Sequence, residues 1–445
     1  MSMINNALSG ANAAQAALNT TSQNIANVAT PGYTRQGVQL RSMQAVAGGP
    51  NAAGNGVQVN SLIRFADSYK SLQMWKAASE VGRYDAAKPY LNQLESVMSD
   101  DTSNINNALD GFFASLNAAS VQPDSASLRS QVLTAADTLV RRISSQQQLF
   151  TTQQNAMRDQ RDAAVNQING YTADIALLNK QITAARAAGL NTSGLQDARE
   201  QRIDALASLV GLQVVSQPNG AVDLLMNNGQ PLVVGADAAQ LRQPAGQLEL
   251  TFGNAVFGVA SQGLGGQLGG IIDYQQQVLE PMQTTVSELA EGIATLFNDQ
   301  LAAAGGAPLF VFNAGQLQVS PTITSTTLTF AAAGEGAGGG GNLAALIALK
   351  NSKIVVTQFD SQPTTLGDIY TQLVGTLGVR SQQNQAALTT AQTVRDESKA
   401  NWAALSGVNT DEEAINLMQY QQMYQANMKV IAAAAKLFDT TLAAF

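Results

Sequence analysis

Few side chains in this sequence could carry chemistry. The 445 residues contain no His and no Cys. That removes Ser-His-Asp and Cys-His nucleophile systems, HExxH-type zinc sites and imidazole general bases. Carboxylates remain, and a glycosidase-like pair needs two of them facing each other across a substrate. The acidic candidates, Asp396-Glu397 and Asp411-Glu412-Glu413, are instead sequence neighbours on predicted helices. For phosphate, no GxxxxGK[ST] occurs, and GLGGQLGG at 263–270 neither fits GxGxxG nor has a βαβ context. GEGAGGGG at 334–341 reads as a flexible hinge. Arg141-Arg142 and Arg158/Arg161 read as a solvated helix face, and Trp75 and Trp402 as packing anchors. No catalytic, cofactor-binding or metal-ligating residue is expected.

With chemistry set aside, the composition points to assembly. Charged residues make up 13% of the chain, about half the usual share. Ala, Gln, Asn, Ser and Thr fill the gap, and such a surface is cheaper to desolvate against other protein than one of Lys and Glu. The net charge of −8 argues against nucleic acid and anionic membranes, which need a basic footprint. No basic n-region with an apolar core opens the chain, and Asn5, Asn6, Asn12, Gln15, Asn19, Gln23 and Asn24 interrupt the first apolar run. The expectation is neither a cleaved leader nor a membrane span.

The elements follow from periodicity. A first helix is predicted over about Ile4 to Ala26, with a heptad of Ile4, Ala11, Leu18 and Ile25 and a second row of Ala7, Ala14, Thr21 and Val28. This seam is mostly Ala, so it permits close approach while burying little area. Thr30-Pro31-Gly32-Tyr33 fits a type II turn. Short extended pieces at 38–40 and 56–59 flank a Gly/Ala/Pro-rich loop at 45–56. Residues 67–210 read as helical, including a long amphipathic arm through Ile168, Tyr171, Ile175, Leu178, Ile182 and Ala185.

At Gly211 the period changes to β, with turns at Pro218-Asn219-Gly220 and Asn227-Asn228-Gly229. The strand pattern continues to about Val259. Helix returns at 271–303 after the Gly-rich break, and a second β-like insert covers LFVFNAGQLQVS and TLTF, about 309–330. Helix resumes from Leu343 with an extended interruption near 353–363. The last helix opens on Thr410-Asp411-Glu412-Glu413, read as a capping box in which Thr410 accepts from a free N–H and Glu413 reaches back. Leu417, Gln421, Tyr424, Met428, Ile431, Ala435, Phe438, Leu442 and Phe445 then mark a coiled-coil seam to the last residue.

NIANVATPGYTRQ at 24–36 resembles the N-terminal motif of flagellar axial proteins, with Asn24, Asn27, Pro31, Gly32, Tyr33 and Arg35 as its matching positions. Its PGYTRQ form is similar to the family of the first hook-associated protein, the FlgK family. GVNTDEEAINLMQYQQMYQANMKVIAAAAKLFDTTL at 407–442 matches the same family, as do GVQVNSLIRFAD at 56–67 and LQDAREQR at 195–202. Gln23 and Ala29 stand where Asn is commoner. The resemblance implies a mainly α fold with β inserts: terminal coiled-coil helices, a long-helix bundle domain and an outer β-rich domain.

The corresponding domains are 1–45 with 402–445 as a helical tube, then 46–211 with 266–305 and 343–401 as the bundle. The outer β-rich domain is 212–265, and a small insert is 306–342. The resemblance also implies a structural, non-enzymatic junction between flagellar hook and filament. Implied partners are further copies of the chain, the hook protein, the third hook-associated protein and an export chaperone on the C-terminal helix. The implied location is extracellular, reached through the flagellar type III apparatus. Ile4, Leu18, Ile25 and Val28 would pack on Tyr424, Ile431, Phe438 and Leu442 in an inner tube. The alternatives are another axial protein (hook, rod or third hook-associated protein) and a secreted hydrolase that uses carboxylates.

Overall fold

A computed structural model describes residues 2–44, 54–336, 338–359 and 362–443. The chain opens with helix α1 (Ser2–Ala26), followed by an antiparallel ribbon of β1 (Gln36–Ser42) and β2 (Val57–Arg64) with a bulge at Gln39/Leu40. Helices α2 (Ser68–Met98), α3 (Ile105–Ala119), α4 (Ala126–Ala187) and α5 (Ser193–Leu209) come next. The 62-residue α4 runs through Gly170 without a break.

The β region begins one residue after Gly211. It forms a four-stranded sheet of β3 (Leu212–Ser216), β4 (Val222–Met226), β5 (Pro231–Val234) and β6 (Asp237–Ala238). A three-stranded sheet of β7 (Gln240–Arg242), β8 (Glu249–Phe252) and β9 (Ala255–Gly258) follows. Gly220 and Gly229 take φ of +93° and +85°, as the two turn signals require.

Helix α6 (Gly266–Tyr274) starts inside the Gly-rich stretch, not after it. The reason is packing: a Cβ on Gly270 would lie 2.0 Å from the Arg83 carbonyl oxygen, so the helix can approach α2 only with Gly there. One π turn at Gln275–Leu279 joins α6 to α7 (Glu280–Ala303). The later elements are the hairpin β10 (Phe310–Asn313)/β11 (Gln316–Val319), α8 (Gly341–Ala348), the pair β12 (Lys353–Val355)/β13 (Pro363–Thr365), α9 (Leu366–Ser406) and α10 (Thr410–Ala443). TLTF (327–330) forms no strand; it is irregular chain that delivers Leu328 and Phe330 to the core.

The chain divides into two units. The second comprises Gly82–Val165 and Ser261–Thr390. Its centre is an aromatic cluster in which the Phe112 and Phe297 rings lie 5.1 Å apart, and Phe310 meets Phe297 edge-on at 5.9 Å. Leu317, Leu328 and Phe330, from the segment read as a separate small insert, are buried in this same core. The buried Tyr370 hydroxyl is paired twice: its Oη donates to the Met98 carbonyl at 3.0 Å and accepts from Gln146 Nε2 at 2.6 Å. The 334–341 loop uses its own carboxylate as an anion, since Glu335 accepts from the N–H groups of Ala332 and Gly341.

The first unit comprises Met1–Val81, Asn166–Ala260 and Ala391–Phe445. Helices and strands are fastened there by a repeated device. A helical Asn side chain binds both backbone groups of one strand residue, as a neighbouring strand would. Asn179 accepts from Val222 N–H at 3.1 Å and donates to its carbonyl at 2.7 Å. Asn169 does the same for Leu241, at 2.8 Å both ways. The second unit repeats the arrangement with Asn298 and Phe310.

Candidate assembly site

The N-terminal motif and the C-terminal helix meet in one site of the first unit. Helices α1 and α10 pair antiparallel: Gly10 faces Asn427, and the end of α1 lies by the start of α10. The buried stripe of α1 is Ala7, Gly10, Ala11, Ala13, Ala14, Ala17, Thr20, Thr21 and Asn24. On α10, Glu413 and Ala434 are buried, and Leu417, Tyr420, Tyr424, Asn427 and Ile431 are half-buried between them. These seven positions alternate four and three.

This differs from the expected seam on three points. Leu417, Tyr424 and Ile431 are shared, but the alternate row is Tyr420, Asn427 and Ala434, so Met428 and Gln421 point outward. The rotation follows from α1, whose contact face is flat and small and accepts the Asn427 amide against Gly10. The large residues expected to meet are also only partly covered within the chain. Ile4, Phe438 and Leu442 are 37%, 64% and 63% exposed, while Leu18 and Ile25 are half-buried. Val28 lies past the end of the helix and is 47% exposed. Phe445 falls outside the described residues, as does the loop at 45–53.

The capping box is corrected too. Asn409, not Thr410, caps α10, its Oδ1 accepting from Asp411 N–H at 3.0 Å. Thr410 is the first helical residue. Glu413 does not reach back to the cap but turns inward, its Oε1 3.9 Å from Arg35 Nε.

The turn is built as its residues require. Tyr33 N–H donates to the Thr30 carbonyl at 3.2 Å, and Gly32 takes φ of +73°. Gln201 seals it: its Nε2 donates to the Pro31 carbonyl at 2.7 Å, and its Cγ would sit 2.5 Å from a Cβ on Gly32. Asn24, 1% exposed, binds Gln36 by both backbone groups, at 3.0 and 2.8 Å, and accepts from Tyr33 Oη at 2.9 Å. Asn27 donates to the Gln23 carbonyl at 2.9 Å and accepts from Thr30 Oγ1. Burial, with the nearby carboxylates of Asp197 and Glu413, pushes the Tyr33 phenol up to about 12.

Two arginines close the site. Arg35 donates from Nη1 to Glu412 at 2.5 Å and from its backbone to the Ser406 carbonyl at 2.8 Å, and its guanidinium lies over the Phe65 ring. Arg64 takes Glu200 in a two-point grip at 2.6 and 2.7 Å, binds Asp197 at 2.7 Å, and donates to Thr34 Oγ1 at 2.8 Å. Burial opposes the Arg64 charge, but Glu200 and Asp197 outweigh it and hold the guanidinium pKa above its usual range. The same helix supplies Arg199, which burial lowers to about 10 while it donates to Asn179 and to the Gly220 carbonyl. LQDAREQR, a segment matched by resemblance alone, enters the joint through Asp197, Glu200 and Gln201. A buried partner for Arg64 was the missing signal, and partners far apart in sequence leave none.

Every element of this site belongs to chain ends or to what anchors them. The arrangement fixes two helices and a turn, and its exposed apolar residues are large. Among the described residues, no group of His, Cys, Asp and Glu could hold a metal ion, and no helix is long and apolar enough to cross a membrane.

Comparison with known proteins agrees with this layout. Residues 4–34 match the family of flagella basal body rod proteins, and 404–444 match the C-terminal family of the flagellar basal body rod FlgEFG proteins. The chain is therefore a flagellar axial protein, built around terminal segments that come together. Residues 91–308 match the helical domain of flagellar hook-associated protein FlgK.

Flagellar hook-associated protein 1 of Escherichia coli is 26% identical over 99% of both chains, and that of Salmonella typhimurium is 27% identical over the same shares. The Bacillus subtilis protein of that name is 26% identical over 97% of this chain and 95% of its own. The E. coli alignment runs to 543 positions, more than the 445 residues here, so that relative carries segments this chain lacks. The structure of the flagellar hook junction protein FlgK from Burkholderia pseudomallei superposes with a TM-score of 0.51 at 27% identity. That superposition covers 54% of this chain and 47% of the other. The chain belongs to the flagellar hook-associated protein 1 family.

Proposed function

We propose that this chain is the structural adaptor between flagellar hook and filament, assembling through its terminal helices into an axial tube. One observation carries the reading. The α1–α10 pair places small residues inside and leaves Met3, Ile4, Leu8, Ile415, Met418, Leu437, Phe438 and Leu442 between 37% and 64% exposed. A lone pair of helices in water would do the reverse. Neighbouring copies around a channel would cover those residues, and the low charge density lets copies stack without self-repulsion.

In this reading residues 1–45 with 402–445 form the tube, and Pro31-Gly32-Tyr33 sets the exit angle into the body. The helical parts of 46–211, 266–305 and 343–401 bear load between subunits, 212–265 projects outward, and 306–342 serves the second unit's core through Leu317, Leu328 and Phe330. The hook protein lies on one side and the third hook-associated protein on the other. The C-terminal helix engages an export chaperone, and type III export carries the chain outside the cell. The role involves no catalysis.

The test is complementation. In a cell lacking its own hook–filament junction protein, the full chain should restore attached filaments and swimming, and a chain ending at residue 404 should not. Swimming restored by the truncated chain would overturn the proposal.

A further inference from the structure

The sequence contains four Asn-Gly pairs, at 55–56, 169–170, 219–220 and 228–229. In an Asn-Gly pair the glycine nitrogen can attack the asparagine side-chain carbonyl carbon, because no Cβ shields it. An N–C bond forms and ammonia leaves, the N–H proton having passed to solvent base. Water then opens the succinimide at either carbonyl, giving aspartate or isoaspartate. The net change is one amide plus one water to one carboxylic acid plus one ammonia. The rate depends on whether the attacking nitrogen and the target amide are free to meet, so hydrogen bonds to either of them protect.

Three pairs are protected. Asn169 has both amide groups on Leu241, and Gly170 lies inside α4. Asn219 Oδ1 accepts from Ala221 N–H at 3.0 Å, and Gly220 N–H donates to the Gln217 carbonyl at 3.0 Å. Asn228 is tied to Gln230 through both Oδ1 and Nδ2, and Gly229 N–H donates to the Met226 carbonyl at 2.8 Å. At Asn55-Gly56, among the described residues, neither the Asn55 side chain nor the Gly56 N–H has a hydrogen-bond partner, and Asn55 is only half-buried. We infer that Asn55 is a self-modification site of this protein, converting to aspartate and isoaspartate ahead of the other three Asn-Gly pairs.

Its position gives the change a consequence. The stretch 54–57 is where the β1–β2 ribbon holds α1. Asn6 Nδ2 donates to the Gly54 carbonyl at 2.9 Å, Val57 N–H donates to Ser9 Oγ at 3.1 Å, and a Cβ on Gly56 would meet Ser9 Oγ at 2.1 Å. Met43 N–H also donates to the Gly56 carbonyl at 2.9 Å. Isoaspartate inserts a backbone methylene here and adds a carboxylate beside a helix with no charged side chain. The grip on α1 therefore loosens as the protein ages.

The test is to hold the full-length folded protein at mildly alkaline pH and map its peptides by mass over days. A second aliquot is held in denaturant, and isoaspartyl methyltransferase labelling identifies the product. In the folded chain Asn55 should convert several-fold faster than Asn169, Asn219 and Asn228, while in denaturant the four should converge. Asn55→Gln should abolish the early product and the accompanying rise in proteolysis within α1. Conversion of Asn219 or Asn228 as fast as Asn55 in the folded chain would overturn the inference. So would an Asn55 that stays intact while its denatured counterpart converts.

Discussion

Gly10 of α1 lies flat against the side chain of Asn427 of α10, so closely that a Cβ at Gly10 would stand 2.5 Å from Asn427 Oδ1. Asn427 is held meanwhile by donating to the Met423 carbonyl at 2.8 Å. The contact lies midway along the helix pair and fixes its register. Gly10→Val should therefore separate the helices, and Asn427→Ala should restore them by clearing the space. Limited proteolysis of each single variant and of the double variant measures this. A coupling of about 1 kcal/mol or more is expected for residues in contact; additive effects would show that the helices are spaced by something else.

The Asn24 clamp should be sensitive to its own chemistry. Asn24→Asp is isosteric, yet it loses the donor to the Gln36 carbonyl and puts a charge near Asp197 and Glu413. At the sister clamp, Asn179→Asp gains an attraction from Arg199, whose Nη1 already bonds Oδ1 at 3.0 Å. Both changes cost stability: Asn24→Asp leaves the Gln36 carbonyl without its donor, and Asn179→Asp leaves the Val222 and Gly235 carbonyls without theirs, at about 1–3 kcal/mol for each group. Added salt should therefore make Asn24→Asp less costly and Asn179→Asp more costly in thermal unfolding, since it weakens the repulsion at one site and the attraction at the other. No salt dependence in either would mean that the charges around the two sites do not matter.

These clamps show what the sequence could and could not convey. The change to β at Gly211, the two Asn-Gly turns and the type II turn were legible because each rests on local rules, and the start of α10 was legible to within one residue. The low charge with many Asn, Gln, Ser and Thr was read as surface suited to meeting other copies. Part of it is used internally: Asn24, Thr34 and Asn179 are each 1% exposed or less, and their partners lie in other elements. The outward rotation of Met428 was hidden for a related reason. An apolar heptad on α10 gives two possible stripes, and only the shape of α1 chooses between them.

The Arg64 hub should be costly to break. Its guanidinium is nearly buried, and Arg64→Ala would leave Asp197 and Glu200 without their counter-charge. The expected loss is about 3 kcal/mol or more. Arg64→Lys should recover only part of that, because an ammonium cannot reproduce the two-point grip on Glu200. Denaturant unfolding of both variants decides it; a lysine variant as stable as the parent would remove geometry from the explanation.

Tyr33 makes the joint sensitive to alkali. Its folded pKa of about 12 exceeds the ordinary 10.0, so the folded chain holds that proton more tightly than the unfolded chain. The stabilisation is complete below about pH 10 and is lost as pH rises toward 12. Tyr274 and Tyr370 are shifted the same way by burial, so the whole protein weakens in this window. The Tyr33 share is therefore the difference between the parent and Tyr33→Phe. The variant should be less stable at neutral pH, having lost the bond to Asn24, and its stability should fall less steeply above pH 10. Parallel curves across that window would show that Tyr33 titrates as it does in the unfolded chain.

Ala314 offers a change in the opposite direction. It follows Asn313 in the tight turn between β10 and β11 and is the one non-glycine among the described residues with positive φ, at 50°. Gly315 follows at φ of 79°, the pair together making a turn that favours Asn-Gly. An alanine there carries a penalty of about 1 kcal/mol, because its Cβ crowds the following carbonyl. Ala314→Asn and Ala314→Gly should both raise stability by up to about that amount, with Asn ahead since it loses less chain entropy on folding. The turn also receives Gln147 Nε2 at the Gly315 carbonyl, 2.7 Å away, and neither substitution disturbs that bond. Thermal unfolding read at the aromatic cluster beside Phe310 is the appropriate measurement. A fall in stability for both variants would mean that the positive φ at Ala314 is not the conformation the turn adopts.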